Sequence, residues 1–257
     1  NQDPFFITLL LRNLGEYDVP IGGVVASLSG IDKNAFSLAS LTVKNNIEIQ
    51  GVVKDQDFVI QGAEEMIEFG DASYVTDVPA DFSTILRADI CYTYKTEAIT
   101  NLCLKQRVLE KTLEDVCEIN VPNLAGHNSD APVKVTGLRQ SSAGSNKIKV
   151  VFSVQNVGKG IVYSPGTFSN SCSGKEVNKD KLIVSLSNPQ NNFNVVCNSL
   201  GGGSSGEIRM VNNKKEISCT IDTSGLQEVT YQDLLKFDLD YVYREAVTTS
   251  LVVENAV

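Results

Sequence analysis

An all-β fold of two tandem antiparallel sandwich domains is what this sequence predicts. Three observations predict it: an internal repeat, period-2 apolar alternation inside the repeated blocks, and almost no helical periodicity. The segment CYTYKTEAITNLCL, Cys91 to Leu104, returns as DYVYREAVTTSLVV, Asp240 to Val253, at an offset of 149. Tyr92 and Tyr94 lie over Tyr241 and Tyr243, Lys95 over Arg244, and Leu102 over Leu251. Upstream, FFITLLLRNLG, Phe5 to Gly15, matches KIKVVFSVQNVG, Lys147 to Gly158, with Asn13 and Gly15 over Asn156 and Gly158 at an offset of 143. Because the two blocks keep their order, each half is one copy of the same structural unit. The 257 residues, 42% of them hydrophobic, suffice for two cores of ordinary size.

The alternation assigns the strands. In the first repeat Phe5, Ile7, Leu9 and Leu11 face inward, matched by Ile148, Val150, Phe152 and Val154. Asn-x-Gly then ends the strand, since both residues tolerate a tight turn. VVASLSG, Val24 to Gly30, resembles LIVSLSN, Leu182 to Asn188, and Glu64 to Phe69 corresponds to Lys214 to Cys219, giving middle strands. Leu86, Ala88, Ile90, Tyr92 and Tyr94 form the inner face of a later strand, and Leu235, Phe237, Leu239, Tyr241 and Tyr243 that of its twin. Ala98, Thr100, Leu102 and Leu104 read as a returning strand, with Val247, Thr249, Leu251 and Val253 as its counterpart. Each pair is then an antiparallel hairpin closing its domain. About seven strands per domain with turn signals between them point to sandwiches of the immunoglobulin-like kind. Gln106 to Cys117 is the best helix candidate.

These elements place the first domain at 1–106, a linker at 107–130 and the second domain at 131–257. The second carries about fifteen extra residues near 159–180, including Cys172. It also has a strand, Ala131 to Arg139 (APVKVTGLR), ahead of its first repeated block, for which the first domain has no room before Phe5. That first strand is either missing from the segment or donated by a neighbour, which would add to an open edge. The chain opens on Asn, so an upstream leader, anchor or further domain is expected, and any membrane attachment would lie there.

Six cysteines without C-x-x-C spacing, beside a single histidine, favour disulfides over a metal site. In the hairpin reading Cys91 and Cys103 are cross-strand neighbours and bridge. Cys197 and Cys219 fall on successive middle strands and pair next. By elimination Cys117 joins Cys172. The even count predicts an oxidising, extracellular location at the cell surface.

No catalytic, cofactor-binding or metal-binding residue is expected. His127 lies in the polar stretch NLAGHNSD and reads as an exposed loop residue. Asp238 and Asp240 fall on an outward strand face, and they and Glu64, Glu65 and Glu68 read as solvated acids. LGGGSSGE, Leu200 to Glu207, lacks the Lys-Ser/Thr of a phosphate loop and reads as a flexible connection. Asp55-x-Asp57 is too sparse for a calcium loop. The absence of Trp leaves little for an aromatic sugar platform. Residues 1–120 carry 9 basic and 19 acidic side chains, and residues 121–257 carry 13 and 12. An acidic front half disfavours nucleic acid and anionic membrane as partners, and it suits head-to-tail matching between copies.

The blocks APVKVTGLR, IKVVFSVQNVGKG, LIVSLS and LKFDLDYVY resemble the CARDB-type, cell-adhesion-related immunoglobulin-like domains of bacterial and archaeal surface proteins, and the CYTYKTEAITNLC segment resembles secreted archaeal proteins. The resemblance implies a stalk, spacer or adhesive module without an active site. The expected function is therefore a non-enzymatic subunit of a surface filament, pilus-like fibre or surface layer, associating with itself or with neighbouring surface proteins and needing no cofactor. The alternative is a glycan- or peptide-binding module of a larger surface protein.

Overall fold

The computed structural model describes residues 4–55, 58–76, 78–173 and 176–255. Strand makes up 53% of it and helix 2%, and the sheets are antiparallel, so the all-β expectation holds. The strands are β1 (Phe5–Arg12), β2 (Val24–Ser29), β3 (Thr42–Lys44), β4 (Val53–Lys54), β5 (Val59–Ile60), β6 (Glu64–Ala72), β7 (Phe82–Leu104) and β8 (Gly126–Asn128). They continue with β9 (Val133–Ser142), β10 (Lys147–Asn156), β11 (Ile161–Tyr163), β12 (Lys181–Ser187), β13 (Val195–Cys197), β14 (Ser205–Arg209), β15 (Lys214–Asp222) and β16 (Tyr231–Val253).

The two expected hairpins do not form. β7 and β16 are each one continuous strand of 23 residues. The reason is in the sequence: Lys95-Thr96-Glu97 and its counterpart Arg244-Glu245-Ala246 contain no Gly, Pro, Asn or Asp, the residues that a two-residue hairpin turn requires. Thr96 is instead held mid-strand, its hydroxyl donating to Val133 O at 2.7 Å and sharing a hydrogen bond with the Tyr241 hydroxyl at 3.0 Å.

The chain forms two compact units. One comprises Asn1–Tyr94, Gly166–Val177 and Val242–Val257; the other comprises Lys95–Pro165 and Asn178–Tyr241. Their divisions fall inside the long strands, at 94/95 and 241/242, whereas the repeat had suggested 106/107 and 130/131. Each long strand therefore begins in the unit of its own repeat and ends in the other. The expected insertion also changes unit, since residues 166–177 belong to the first.

In unit 1, β1 pairs with β6, and β3, β2 and β7 lie in that order in a second sheet, with the end of β16 next to β7. Ile7, Val24, Ala26, Leu28, Ile67, Phe69 and Ile90 fill its core. In unit 2 one sheet runs β13-β15-β10-β9, and the other runs β14-β12-β16 with the end of β7 beside β16. Ile148, Val150, Phe152 and Val154 meet Leu235, Phe237 and Leu239 there, all seven at 0% exposure, with the Phe152 and Phe237 rings edge to face at 4.8 Å. The first domain's strand assignments at Phe5, Val24 and Glu64 and their twins all coincide with observed strands.

Two further expectations change. Gln106 to Cys117 is not helical but irregular. A helix of 12 residues would span about 18 Å, yet Cys117 is bonded to Cys103 with their Cα atoms 5.8 Å apart. Buried Lys105 gathers the same loop, its ammonium donating to Asp115 Oδ1 at 2.7 Å and to Glu110 O at 2.8 Å. The stretch expected to be linker also holds β8, in which His127 pairs with Ile99 of β7 and stays exposed.

Candidate functional site

All six cysteines are oxidised, as Cys91–Cys172, Cys103–Cys117 and Cys197–Cys219. The last is the expected cross-strand pair, with Cys197 directly opposite Cys219. The other two are corrected. On one continuous strand no turn brings Cys103 back opposite Cys91, so the two are not cross-strand neighbours and do not bridge. Cys91 therefore takes Cys172, from the insertion that has crossed into unit 1, and Cys103 takes Cys117 within unit 2. The Cys172 N–H also donates to Ser27 Oγ at 3.0 Å, which fixes the insertion beside β2.

Of the two acids read as solvated on a long strand, Asp238 is engaged in ion pairs, and so is Asp89 of β7. In unit 1 Asp89 accepts from Arg87 at 2.7 and 3.0 Å and from Arg244 Nη2 at 3.0 Å, with its side chain 11% exposed. In unit 2 Asp238 accepts an ion pair from Lys95 Nζ at 2.8 Å and from Lys236 at 3.4 Å, and Glu97 joins both lysines. At the offset of 149, Arg87, Asp89 and Lys95 correspond to Lys236, Asp238 and Arg244. The two clusters are thus the same cluster made twice, each combining an acid of one repeat with the cation of the other. Tyr92 repeats the exchange, its hydroxyl reaching Glu245 Oε1 at 3.4 Å as that of Tyr241 reaches Thr96.

Burial alone pushes the Asp89 carboxyl up, but the hydrogen bonds and charges of Arg87 and Arg244 outweigh it and hold the group below its usual value. Hydrogen bonding to Asp238 raises the Lys95 ammonium well above its usual range. Burial raises Asp240. These paired charges order the strands. Sequence reading missed the clusters because alternation reports only which face a residue takes; the signal was the matched signs at one repeat offset.

Asn13 and Asn156 act alike. Each accepts from the N–H two residues on, Gly15 or Gly158, both at 3.1 Å, and each donates to the carbonyl four residues on, Tyr17 at 2.7 Å or Gly160 at 2.9 Å. Of the remaining candidates, Glu65 is buried on β6 and accepts from the Asn46 N–H at 3.1 Å, while Glu64 and Glu68 are exposed. The glycine run is more ordered than expected: Gly201 and Gly202 take positive φ at a turn, and Ser205 to Glu207 already belong to β14. Asp57 lies outside the described residues. Among the described residues no group of three or more His, Cys, Asp or Glu side chains is placed to hold a metal ion. No helix among them is long and apolar enough to cross a membrane.

What distinguishes the units is an edge. β10 has β15 on one side and β9 on the other, whereas β1, its counterpart, pairs with β6 alone among the described residues. The outer face of the β1–β6 pair presents Phe6, Leu10 and Met66, each more than half exposed. An unpaired strand edge offers N–H and C=O groups to another strand. The three disulfides fit an oxidising, extracellular environment. Comparison with protein-family models, curated proteins and solved structures returns no match.

Proposed function

We propose that this chain is a non-enzymatic extracellular building subunit of a surface filament, pilus-like fibre or surface layer, of the same general kind as the CARDB-type immunoglobulin-like domains its repeats resemble. Copies associate with one another through complementary ends. The observation that carries this reading is that β1 pairs with β6 alone among the described residues, whereas its counterpart β10 is covered on both sides. Three disulfides and two strands that pass from unit to unit suit a part that bears load. Charge supports it too: counted over the sequence, unit 1 carries 7 basic and 17 acidic residues, and unit 2 carries 15 and 14. An acidic unit of one copy is attracted to a near-neutral unit of the next more than to its own kind.

Electron microscopy of native material and sedimentation over a wide concentration range test this reading. Filaments, sheets or concentration-dependent oligomers are expected. A protein that stays monomeric at the highest attainable concentration, with any natural flanking segments restored, rejects it.

A further inference from the structure

In unit 2, β9 makes two sets of contacts at once. It pairs antiparallel with β10, setting Val135 opposite Val154 and Val133 opposite Asn156. It also meets the end of β7, where Gln140 donates to Cys103 O at 2.6 Å and accepts from the Cys103 N–H at 3.1 Å. Under this cover, with β8 paired alongside at Ala98 to Thr100, Ala98 and Thr100 are 2% exposed, and Leu102 and Leu104 are fully buried.

Unit 1 holds the counterparts of both partners and none of β9 among the described residues. β1 stands for β10, and the end of β16 stands for the end of β7. Position for position, Val247 is 52% exposed where Ala98 is 2%. Thr249 is exposed where Thr100 is buried, and Leu251 and Val253 are half-buried where Leu102 and Leu104 are sealed. The same fold therefore leaves open in one unit the apolar strip that a strand covers in the other.

The strip specifies its occupant. It takes an extended strand, because the open edge of β1 supplies hydrogen bonds in strand geometry. Alternate residues must be apolar, as Val133 and Val135 are on β9. The outward residues are best basic, since unit 1 is strongly acidic, with Glu64, Glu68 and Asp71 exposed on β6; β9 carries Lys134 and Arg139. β9 is the run of the chain that meets these requirements, and the charge difference between the units draws unit 2 of one copy toward unit 1 of the next. We infer that the open strip of unit 1, formed by the edge of β1 and by Val247, Thr249 and Leu251, receives an extended strand from a second copy of this chain, added antiparallel to β1 as β9 is to β10. This inference rests on the assembly reading above and gives it a site.

Hydrogen exchange on the full chain in dilute and concentrated solution, with sedimentation alongside, tests it. On concentration the amides of β1 and of the end of β16 slow by about tenfold or more. In dilute solution a synthetic peptide of residues 131–142, APVKVTGLRQSS, protects the same amides, and its Val133→Asp, Val135→Asp form does not. The chain variant Val247→Asp, Thr249→Asp, altered at exposed positions, keeps its melting temperature and loses the concentration effect. Unchanged exchange at both concentrations overturns the inference. So does protection by the peptide without any effect of concentration, which identifies a strand from another source. Oligomers whose β1 and β16 amides stay unprotected leave the assembly reading standing and this site refuted.

Discussion

Asp89 and Asp238 show how much one carboxylate decides here. Each holds cations from both repeats at one point on a long strand, so losing either unties two chain segments together. Asp89→Asn leaves Arg244 without its counter-charge and is expected to destabilise the protein by about 1–3 kcal/mol, as for hydrogen bonds to charged groups, measured by urea unfolding. Because the folded Asp89 carboxyl lies below its usual 3.8, its contribution is complete above about pH 4 and disappears as pH falls through the folded value. Melting temperature should therefore drop between pH 4 and pH 2, and the drop should be smaller in Asp89→Asn. Asn13 gives a second test. It accepts from Gly15 and from the Tyr94 hydroxyl at 3.1 Å and donates to Tyr17 and Ile49, so Asn13→Ala strands several buried groups and should cost about 1–3 kcal/mol.

At the scale of elements, the long strands and the disulfides that tie them explain each other. The continuous β7 carries Cys91 in unit 1 and Cys103 in unit 2, so each cysteine takes a partner from the loops near it. Cys91–Cys172 spans 81 residues of sequence and Cys103–Cys117 spans 14. On the chain-entropy relation these closures stabilise by about 4.5 and about 3 kcal/mol. Replacing Cys91 and Cys172 by Ser should lower stability more than replacing Cys103 and Cys117, as compared by denaturant midpoints under non-reducing conditions. Gly30 is a point where an element tolerates no side chain. Its φ is +88°, and a Cβ there would meet the Ile85 carbonyl. Gly30→Ala should weaken the β2–β7 pairing by more than about 1 kcal/mol, read as faster amide exchange along β2.

For the whole molecule, the division of charge bears on association. Unit 1 concentrates the acidic excess, so the proposed contact between unlike units of neighbouring copies is one that dilute salt would favour. Screening shortens that attraction to within about 10 Å at 0.1 M ionic strength. Sedimentation should show association weakening as salt rises, while association driven by apolar burial alone would hold or strengthen.

The strand faces were legible in the sequence because period-2 alternation is a local property: Phe5 to Leu11 and Leu235 to Tyr243 fall on the faces their spacing assigned. So was the repeat, and with it the bridge between Cys197 and Cys219 on neighbouring strands. By itself the sequence determined an all-β chain with two related sets of strands. Only the tertiary structure decided where those strands end and whom they join. Whether Lys95 to Glu97 turns back or runs on depends on partners more than a hundred residues away, Tyr241 among them, and alternation is identical on both sides of a turn or of a straight continuation. The exchange of strand ends between units, the crossing of Cys172 to Cys91 and the open strip beside β1 all follow from that long-range choice.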